Sequence, residues 1–187
     1  MNELPEVPNS AGTTLPRLAA PEGACDSHIH IYDPRFPAAK ADVSVVANAT
    51  VAEYRLLQRR IGTTRAVVVQ PAAYGTDNRV TLDAIEQLGR GNARGIAVVH
   101  PDVSDAELEA LHHGGIRGLR FTQHDPRTAV TTADMIEPLA RRIQAFGWHT
   151  QIHLRAPQIV AMAGLIESLP GTIVIDHMAR IPEPIGI

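Results

Sequence analysis

From Cys25 onward, short β-branched runs alternate with segments whose apolar residues recur at helical spacing, and this alternation most constrains the fold. The runs AVVV, IAVV and TIVI are almost continuously apolar, as parallel strands buried on both faces are. Such alternation predicts repeated βα units around a parallel sheet. We predict strands at Cys25 to Ile31, Arg65 to Gln70, Gly95 to His100, Ile116 to Thr122, Trp148 to Leu154, and Thr172 to His177.

Helix signals lie between the predicted strands. Capping boxes, in which a hydroxyl residue is followed three residues later by glutamate, begin at Thr50 and Ser104. Glycines are expected to end these helices, at Gly62 and Gly114. Three further helices are predicted: Asn78 to Leu88, one that begins near Glu137 because of Pro138, and one with Pro157 in its first turn.

The length of the chain bounds the architecture. A closed eightfold barrel takes about 250 residues, whereas this chain has 187 and ends ten residues after His177. We therefore expect either an open six-stranded sheet or the front three quarters of a barrel. Residues 1–24 contain four prolines and no hydrophobic period, which predicts a flexible N-terminal arm before a domain at 25–187.

Composition excludes several classes. Seventeen Lys+Arg against twenty Asp+Glu, without a block of like charge, argue against nucleic-acid binding. The longest apolar run falls far short of the roughly 20 residues that cross a bilayer. The N-terminus lacks the basic and apolar regions of a signal peptide. Cys25 is the only cysteine, so we expect no intrachain disulfide, a small buried side chain and a cytoplasmic location.

Histidines gather where the first predicted strand ends. In CDSHIH, residues two apart should share a face, so Asp26, His28 and His30 are expected to project together. Two imidazoles at this spacing can hold one metal ion or one anionic substrate, although a pair of exposed strand-end histidines is the simpler alternative. Enzymes with parallel sheets build their sites at this end of the strands, which favours a functional role.

Three other residues occupy comparable positions. Arg120 is a cation inside the apolar run GIRGLRFTQ, where it must find an anion or water, and a guanidinium can bind a carboxylate with two hydrogen bonds. His153 ends the polar face of WHTQIHL, and His177 ends the sixth strand. His149 stands at the start of a predicted strand and is interpreted as structural. His100 and His124 follow strand ends, and for both the choice between a loop contact and a place in the site stays open.

Four segments carry a family resemblance. CDSHIHIYDPRFP, GIRGLRFTQ, GWHTQIHL and IVIDHMAR resemble, in this order, the amidohydrolase-related branch of the amidohydrolase superfamily. Within it they are most similar to pyrone-dicarboxylate lactonases, sugar-acid lactonases and galactarolactone isomerases. The resemblance covers about Ala24 to Arg180. It implies an α/β, TIM-barrel-like (β/α)8 fold that is C-terminally truncated here, with about six of eight parallel strands present.

The resemblance also implies roles for individual residues. His28, His30 and His177 match catalytic positions, whereas Arg120 and His153 match substrate-binding ones, the arginine facing a substrate carboxylate. The implied enzyme is a hydrolase or isomerase of the lactone of a small sugar acid or dicarboxylic acid. Its expected partner is therefore a carboxylate-bearing lactone.

Two alternatives stay open. In a zinc-dependent hydrolase or decarboxylase of the same branch, a divalent metal such as zinc would be held by His28, His30, His153 and His177. Many lactonase relatives use these positions without a metal. The second alternative is a non-catalytic fragment or self-associating module, because open sheet edges favour homo-oligomers.

The resemblance further implies a general base, an aspartate on the family's eighth strand, and we expect no eighth strand among the six predicted here. Strand parity is expected to turn Asp176 away from His177, so no acidic residue is assigned that role. We therefore expect the 187-residue chain to be poorly soluble or oligomeric and without lactonase turnover above background. Turnover would mean that another carboxylate, such as Asp33 or Asp176, had replaced the missing base.

Overall fold

The computed structural model describes residues 15–39, 46, 49–125 and 129–181, so the expected arm at 1–24 lies only partly within the described residues. The chain divides into two compact units, Met1–Gly95 and Ile96–Ile187. Six strands follow one another in chain order within one sheet, which confirms the expected α/β architecture. They are β1 (Cys25–Ile29), β2 (Arg65–Val69), β3 (Ala93–Ala97), β4 (Ile116–Thr122), β5 (His149–His153) and β6 (Ile173–Ile175).

The first unit contains the parallel pair β1 and β2 with helices α1 (Val51–Ile61) and α2 (Arg79–Leu88). The capping box at Thr50 and the left-handed Gly62 begin and end α1, as predicted. The core of this unit is aliphatic, because β2 is apolar from its second residue onward and α2 presents one apolar side. Its most deeply buried side chains include Val68, Val69, Ala84 and Ile85.

The second unit contains the parallel strands β4, β5 and β6. Its helices are α3 (Asp105–His113), α4 (Ile136–Ile143), α5 (Ala156–Ala161) and α6 (Ala163–Ser168). Ser104 caps α3, and α4 begins one residue before the position that Pro138 predicted. Fully buried apolar residues of α4, β4 and β5 build the core, among them Leu139, Phe121 and Ile152.

The structure differs from the sequence prediction in four details. β3 spans Ala93–Ala97 and not Gly95 to His100. The helix predicted from Pro157 through Ile166 is two helices, because the backbone breaks at Met162, just before Gly164 in α6. β6 ends at Ile175, two residues before the predicted end. Cys25 is exposed and not buried, because it is the first residue of β1. Among the described residues, none of the helices has the length and apolar character needed to cross a membrane.

Candidate active site

Two imidazoles lie side by side where β1 ends. The ring centroids of His28 and His30 are 5.0 Å apart, with the ring planes at 87°. Nδ1 of His30 lies 2.7 Å from the carbonyl oxygen of Val69. Because a carbonyl only accepts, this bond holds a proton on Nδ1 and leaves the lone pair on Nε2 when the ring is neutral. His30 is therefore oriented as histidines that bind metals or accept protons commonly are.

Asp26 does not share the face of the two histidines, contrary to the prediction from strand alternation. β1 pairs with β2 at Asp26 with Ala66 and at Ile29 with Val68, so three steps along β1 match two along β2. This extra residue is a β-bulge, which interrupts the alternation of side chains. Asp26 instead accepts a hydrogen bond from the Tyr54 hydroxyl of α1, at 3.3 Å.

Asp33, considered above as a replacement base, is bound by an arginine. The side chain of Arg35 donates to both carboxylate oxygens, with the shortest bond at 2.8 Å. The Tyr74 hydroxyl also donates to the Asp33 carbonyl oxygen at 3.0 Å. Hydrogen bonding by Arg35 lowers the pKa of Asp33, which makes its carboxylate a weaker proton acceptor. These contacts assign Asp33 to shaping the loop after β1.

A buried ion pair lies at the centre of the second unit. Nε of Arg120 donates to Oδ2 of Asp176 at 2.9 Å, and the two side chains are only 4% and 2% exposed. Nε2 of Gln151 donates to the other oxygen of Asp176, Oδ1, at 2.7 Å. Both carboxylate oxygens therefore have partners, as a buried charge requires.

The register of the strands explains why Asp176 faces Arg120. Gln151 lies opposite Arg120 on one side and Val174 on the other. Paired residues of parallel strands point to the same face of the sheet, and Asp176 follows Val174 by two residues. A carboxylate oxygen of Asp176 also lies within 4.8 Å of a ring nitrogen of His177, so the prediction that Asp176 is turned away from His177 is wrong. The sequence alone did not show which residue of β6 pairs with Gln151.

His177 reaches the site by a turn and not by strand alternation. After Ile175 the backbone enters the left-handed region, with φ of 50° at His177 and 45° at Arg180. This turn brings the ring centroid of His177 to 4.7 Å from that of His153. The second unit thus brings together three of the predicted site residues, Arg120, His153 and His177.

His153 is buried at the end of β5, between two guanidinium groups. Its Nδ1 lies 3.0 Å from Nη2 of Arg120, and its Nε2 lies 2.7 Å from Nε of Arg180. The ring of His124 stacks on it with the centroids 3.9 Å apart. Burial and then the charge of Arg120 lower the pKa of His153 to about 3, so the imidazole is neutral near pH 7.

Gly118 makes room for a histidine at the other end of β5. A Cβ on Gly118 would lie 2.8 Å from both Nε2 and the carbonyl oxygen of His149. His149 therefore packs directly on the backbone of β4, and burial lowers its pKa. This packing agrees with the structural role predicted for His149.

The other histidines left open separate into two groups. Nε2 of His100 lies 2.9 Å from the carbonyl oxygen of Val130, which is a loop contact. His124 instead joins the site by stacking on His153. The signal for His124 was present in the sequence, because it continues the alternation of Arg120 and Thr122 beyond β4.

Three contributors to this cluster were not predicted from the sequence, namely Gln151, Asp176 and Arg180. Gln151 could have been found, since it shares the polar face of β5 with His153. Asp176 required the strand register, and Arg180 required the left-handed turn. Neither of those features is written in a local pattern.

Several known proteins are similar to this chain over most of its length. A 2-pyrone-4,6-dicarbaxylate hydrolase of Comamonas testosteroni is 37% identical over 172 residues, covering 91% of this chain and 56% of the relative. A 4-sulfomuconolactone hydrolase of Rhizobium radiobacter is 30% identical over 175 residues, covering 91% and 58%. A D-galactarolactone isomerase of Agrobacterium fabrum is 23% identical, covering 95% and 60%. The chain thus spans 56–60% of the length of these relatives.

Solved structures have the same fold. A probable 2-pyrone-4,6-dicarboxylic acid hydrolase from Acinetobacter baumannii, with citric acid bound, is 27% identical with a TM-score of 0.72, covering 85% of this chain and 60% of that one. An apo Agrobacterium tumefaciens structure has a TM-score of 0.81 at 21% identity, covering 92% and 60%, and supports the TIM-barrel-like fold. The Amidohydro_2 family model, described as amidohydrolase, matches residues 25–186, which include the site residues of both units. By this match the chain belongs to the amidohydrolase family.

Proposed function

We propose that this chain binds a lactone of a small sugar acid or dicarboxylic acid and takes part in its hydrolysis or isomerisation. The names of the relatives support this substrate class, since they denote lactones or cyclic esters of acids. The observation that carries the proposal is the buried Arg120–Asp176 pair beside His153. Fixed donors in a dry site are what the developing oxyanion of an ester reaction needs.

His153 is the proposed donor to the carbonyl oxygen of the lactone. A guanidinium only donates, so the bond from Arg120 requires the lone pair on Nδ1 and leaves the proton on Nε2. Nε2–H can donate to the carbonyl oxygen as negative charge develops there once the substrate displaces Nε of Arg180, which lies 2.7 Å from Nε2. The low pKa of His153 keeps this group a neutral donor throughout.

Arg120 is the proposed contact for the substrate carboxylate. Its Nε binds Asp176 and its Nη2 binds His153, and neither of these bonds uses Nη1. Asp176 holds the guanidinium in place before substrate arrives, which lowers the cost of ordering it on binding. The same side chain would thus orient both the substrate and the donor histidine.

We assign the remaining catalytic positions to His28, His30 and His177. The first two stand at the end of β1, and the third stands beside the ring of His153. Their proposed role is to bind and polarise the reacting ester. His30 has its Nδ1 proton engaged with a backbone carbonyl, so its Nε2 is the atom that would meet substrate or water.

Calorimetry and NMR of the imidazole nitrogens would test the proposal. The chain is titrated with 2-pyrone-4,6-dicarboxylate and, in parallel, with its uncharged dimethyl ester. We expect the dicarboxylate to bind and to shift Nε2 of His153, and the diester to bind at least tenfold more weakly. The variant His113→Gln, at an exposed helix end, is the matched control. Equal binding of acid and diester would contradict the proposal.

A zinc-dependent reaction is the second candidate, since amidohydrolases often use a divalent metal. The orientation of His30 favours it. His153 does not fit as a ligand, because guanidinium groups lie against both of its nitrogens and repel a cation. We therefore propose His28, His30 and His177 as the residues that would hold such an ion, which would polarise the ester carbonyl. Zinc calorimetry on wild type, His30→Gln and His153→Gln would test this, with binding weakened only by the first variant.

We also propose a cytoplasmic location and self-association. The chain has one cysteine, Cys25, and its exposed thiol would persist in a reducing compartment. Within the described sheet, β1 and β6 are the terminal strands, and exposed strand edges favour pairing with another copy. Sedimentation velocity over a range of protein concentrations would reveal oligomers, and a monomer at all concentrations would contradict self-association.

A further inference from the structure

A cleft in the first unit lies where β2 and β3 begin, at the opposite end of the strands from the histidines of β1. Its volume is about 320 Å³, which is within the range of sites for small molecules. It lies between the last turns of the helices α1 and α2. Its polar lining residues come from α1 and from the segments just before β2 and β3, and they are Arg55, Gln58, Arg59, Thr64 and Asn92.

This first cleft is rich in hydrogen-bond donors. Arg55 and Arg59 each carry a guanidinium group, which only donates. Gln58 and Asn92 add side-chain amides, and Thr64 adds a hydroxyl. Among the residues that the structure describes, no aspartate or glutamate lines the cleft. Donors and positive charge without a carboxylate are what an anion requires.

The positive charge of the first cleft is only partly offset by its surroundings. Nη2 of Arg55 donates to the backbone carbonyl oxygen of Gln87, which holds Arg55 between the two helices but leaves its charge in place. Arg59 lies in the last turn of α1, and Leu88 is the last residue of α2. Each helix C-terminus carries about half a negative charge, so the two together offset about one of the two arginine charges.

A second cleft of about 230 Å³ adjoins the first and adds to this charge. The two clefts share Ala66 and Asn92, and the second is also lined by Arg65 and Arg94. Nη1 of Arg94 donates to the carbonyl oxygen of Ala93 at 2.7 Å, which again is a neutral partner. Within the described part of the chain, this cleft too has no acidic lining residue. Four arginines therefore raise the positive potential at this end of the strands.

The number of donors favours a phosphate group over a carboxylate. A carboxylate offers two oxygens in one plane, whereas a phosphate offers three strong acceptor oxygens and about 1.5 to 2 negative charges near pH 7. Donors from three separate segments of the chain meet in the first cleft. Arginine also binds phosphate oxygens with two parallel hydrogen bonds.

We propose that the first cleft is a binding site for a phosphate group, either free phosphate or the phosphate of a small organic molecule. Arg55 and Arg59 are the charged contacts, and Asn92 supplies a further donor from before β3. The inference does not depend on the proposed lactone function, because His28 and His30 stand at the other end of β1. A ligand in this cleft would leave the site at the histidines open.

Calorimetry on the full chain tests the site with inorganic phosphate and with glycerol 3-phosphate. Titrations are made in about 150 mM sodium chloride, where diffuse charge attraction is largely screened. We expect Arg59→Gln to weaken phosphate binding about tenfold or more, because charge-assisted hydrogen bonds are lost. Arg59→Lys should recover part of the loss, since it keeps the charge. The control Arg141→Gln, at an exposed arginine of α4, should match wild type.

The two ligands distinguish the source of the phosphate group. Tighter binding of glycerol 3-phosphate would identify an organic phosphate as the ligand, whereas equal or weaker binding would identify free phosphate. Either result supports the site. No phosphate binding by wild type, or an unchanged affinity in Arg59→Gln, would overturn it.

NMR separates this site from the proposed lactone site. We expect phosphate to shift the side-chain amide signal of Asn92 and not the Nε2 signal of His153. The affinity for 2-pyrone-4,6-dicarboxylate should be the same in Arg59→Gln as in wild type, so the two proposals can fail independently. A phosphate response at His153 in place of Asn92 would overturn the location of the site. A loss of dicarboxylate affinity in Arg59→Gln would overturn the separation of the two sites.

Discussion

The guanidinium of Arg120 and the carboxylate of Asp176 form an ion pair in which Nε and Oδ2 are 2.9 Å apart and almost no surface is exposed. Breaking such a pair leaves one uncompensated charge inside the protein, which costs more than the pair itself contributes. Loss of either partner should therefore destabilise the protein. Asp176 also fixes the position of the Arg120 guanidinium in the site.

Removing one partner should destabilise the second unit. We expect Asp176→Leu to lower the free energy of unfolding by about 3 to 5 kcal/mol, and the double variant Arg120→Met with Asp176→Leu to recover much of that loss. Urea unfolding followed by circular dichroism provides the measurement. The exposed pair Arg141–Glu137 is the control, where Glu137→Gln should cost about 0 to 1 kcal/mol. A double variant as unstable as the single one would contradict this account.

Acid should destabilise the fold through His153. Its pKa is lowered from 6.5 to about 3 by burial and by Arg120, so below pH 6.5 the unfolded chain takes up a proton that the folded chain does not. Stability should therefore fall with pH between 6.5 and about 3, at about 1.4 kcal/mol per pH unit.

The difference in unfolding free energy between wild type and His153→Gln isolates the contribution of His153. As the pH is lowered from about 7 to about 5, we expect wild type to lose more stability than His153→Gln. The exposed His113→Gln serves as the control and should show no such shift. A pH-independent difference for His153→Gln would show that its ring titrates normally.

Gly118→Ala should destabilise the protein by about 1 to 3 kcal/mol, the usual cost of overpacking. The new methyl group would lie 2.8 Å from the carbonyl oxygen of His149, and backbone cannot move aside as a side chain can. Gly164→Ala is the matched control, since a Cβ there meets nothing within 4 Å and should stabilise α6 by about 0.5 to 1 kcal/mol. Thermal unfolding of both variants would decide, and equal midpoints would contradict close packing at Gly118.

The proposed catalytic histidines should act as a unit. If His28, His30 and His177 contact one ligand, the losses in affinity for 2-pyrone-4,6-dicarboxylate from His30→Asn and His177→Asn should not add in the double variant. Dissociation constants are measured by calorimetry for wild type, both single variants and the double variant. If the losses from His30→Asn and His177→Asn simply multiply in the double variant, the two histidines do not act together. His113→Gln again controls for the loss of a histidine at an exposed position.

The local parts of the fold were predictable because local chemistry determines them. The capping boxes at Thr50 and Ser104 located two helices to within a residue. Apolar runs located the strands, since strands buried on both faces leave little room for polar residues. Arg120, His153 and His177 were also found, because each is a polar residue where an apolar strand ends or is interrupted.

The features that the sequence did not predict depend on how distant segments of the chain pair with each other. The pairing of Gln151 with Val174 decides that Asp176 belongs to the site, and no pattern within β6 reveals that pairing. The turn after Ile175 places four consecutive residues without glycine in the left-handed region, which local preference disfavours. Arg180 reaches His153 only through this turn, so its role could not be read from spacing.

The bulge in β1 lets five consecutive residues serve two layers of the protein. Asp26 contacts the helix α1 through Tyr54, whereas His28 and His30 lie together away from that contact. A change at Asp26 should consequently affect the anchoring of α1 first, although Asp26 stands two residues from His28, which is only proposed to be catalytic. Without the extra residue, strand alternation would place Asp26 on the same face as His28 and His30. The bulge is thus what separates the anchor of the helix from the two imidazoles.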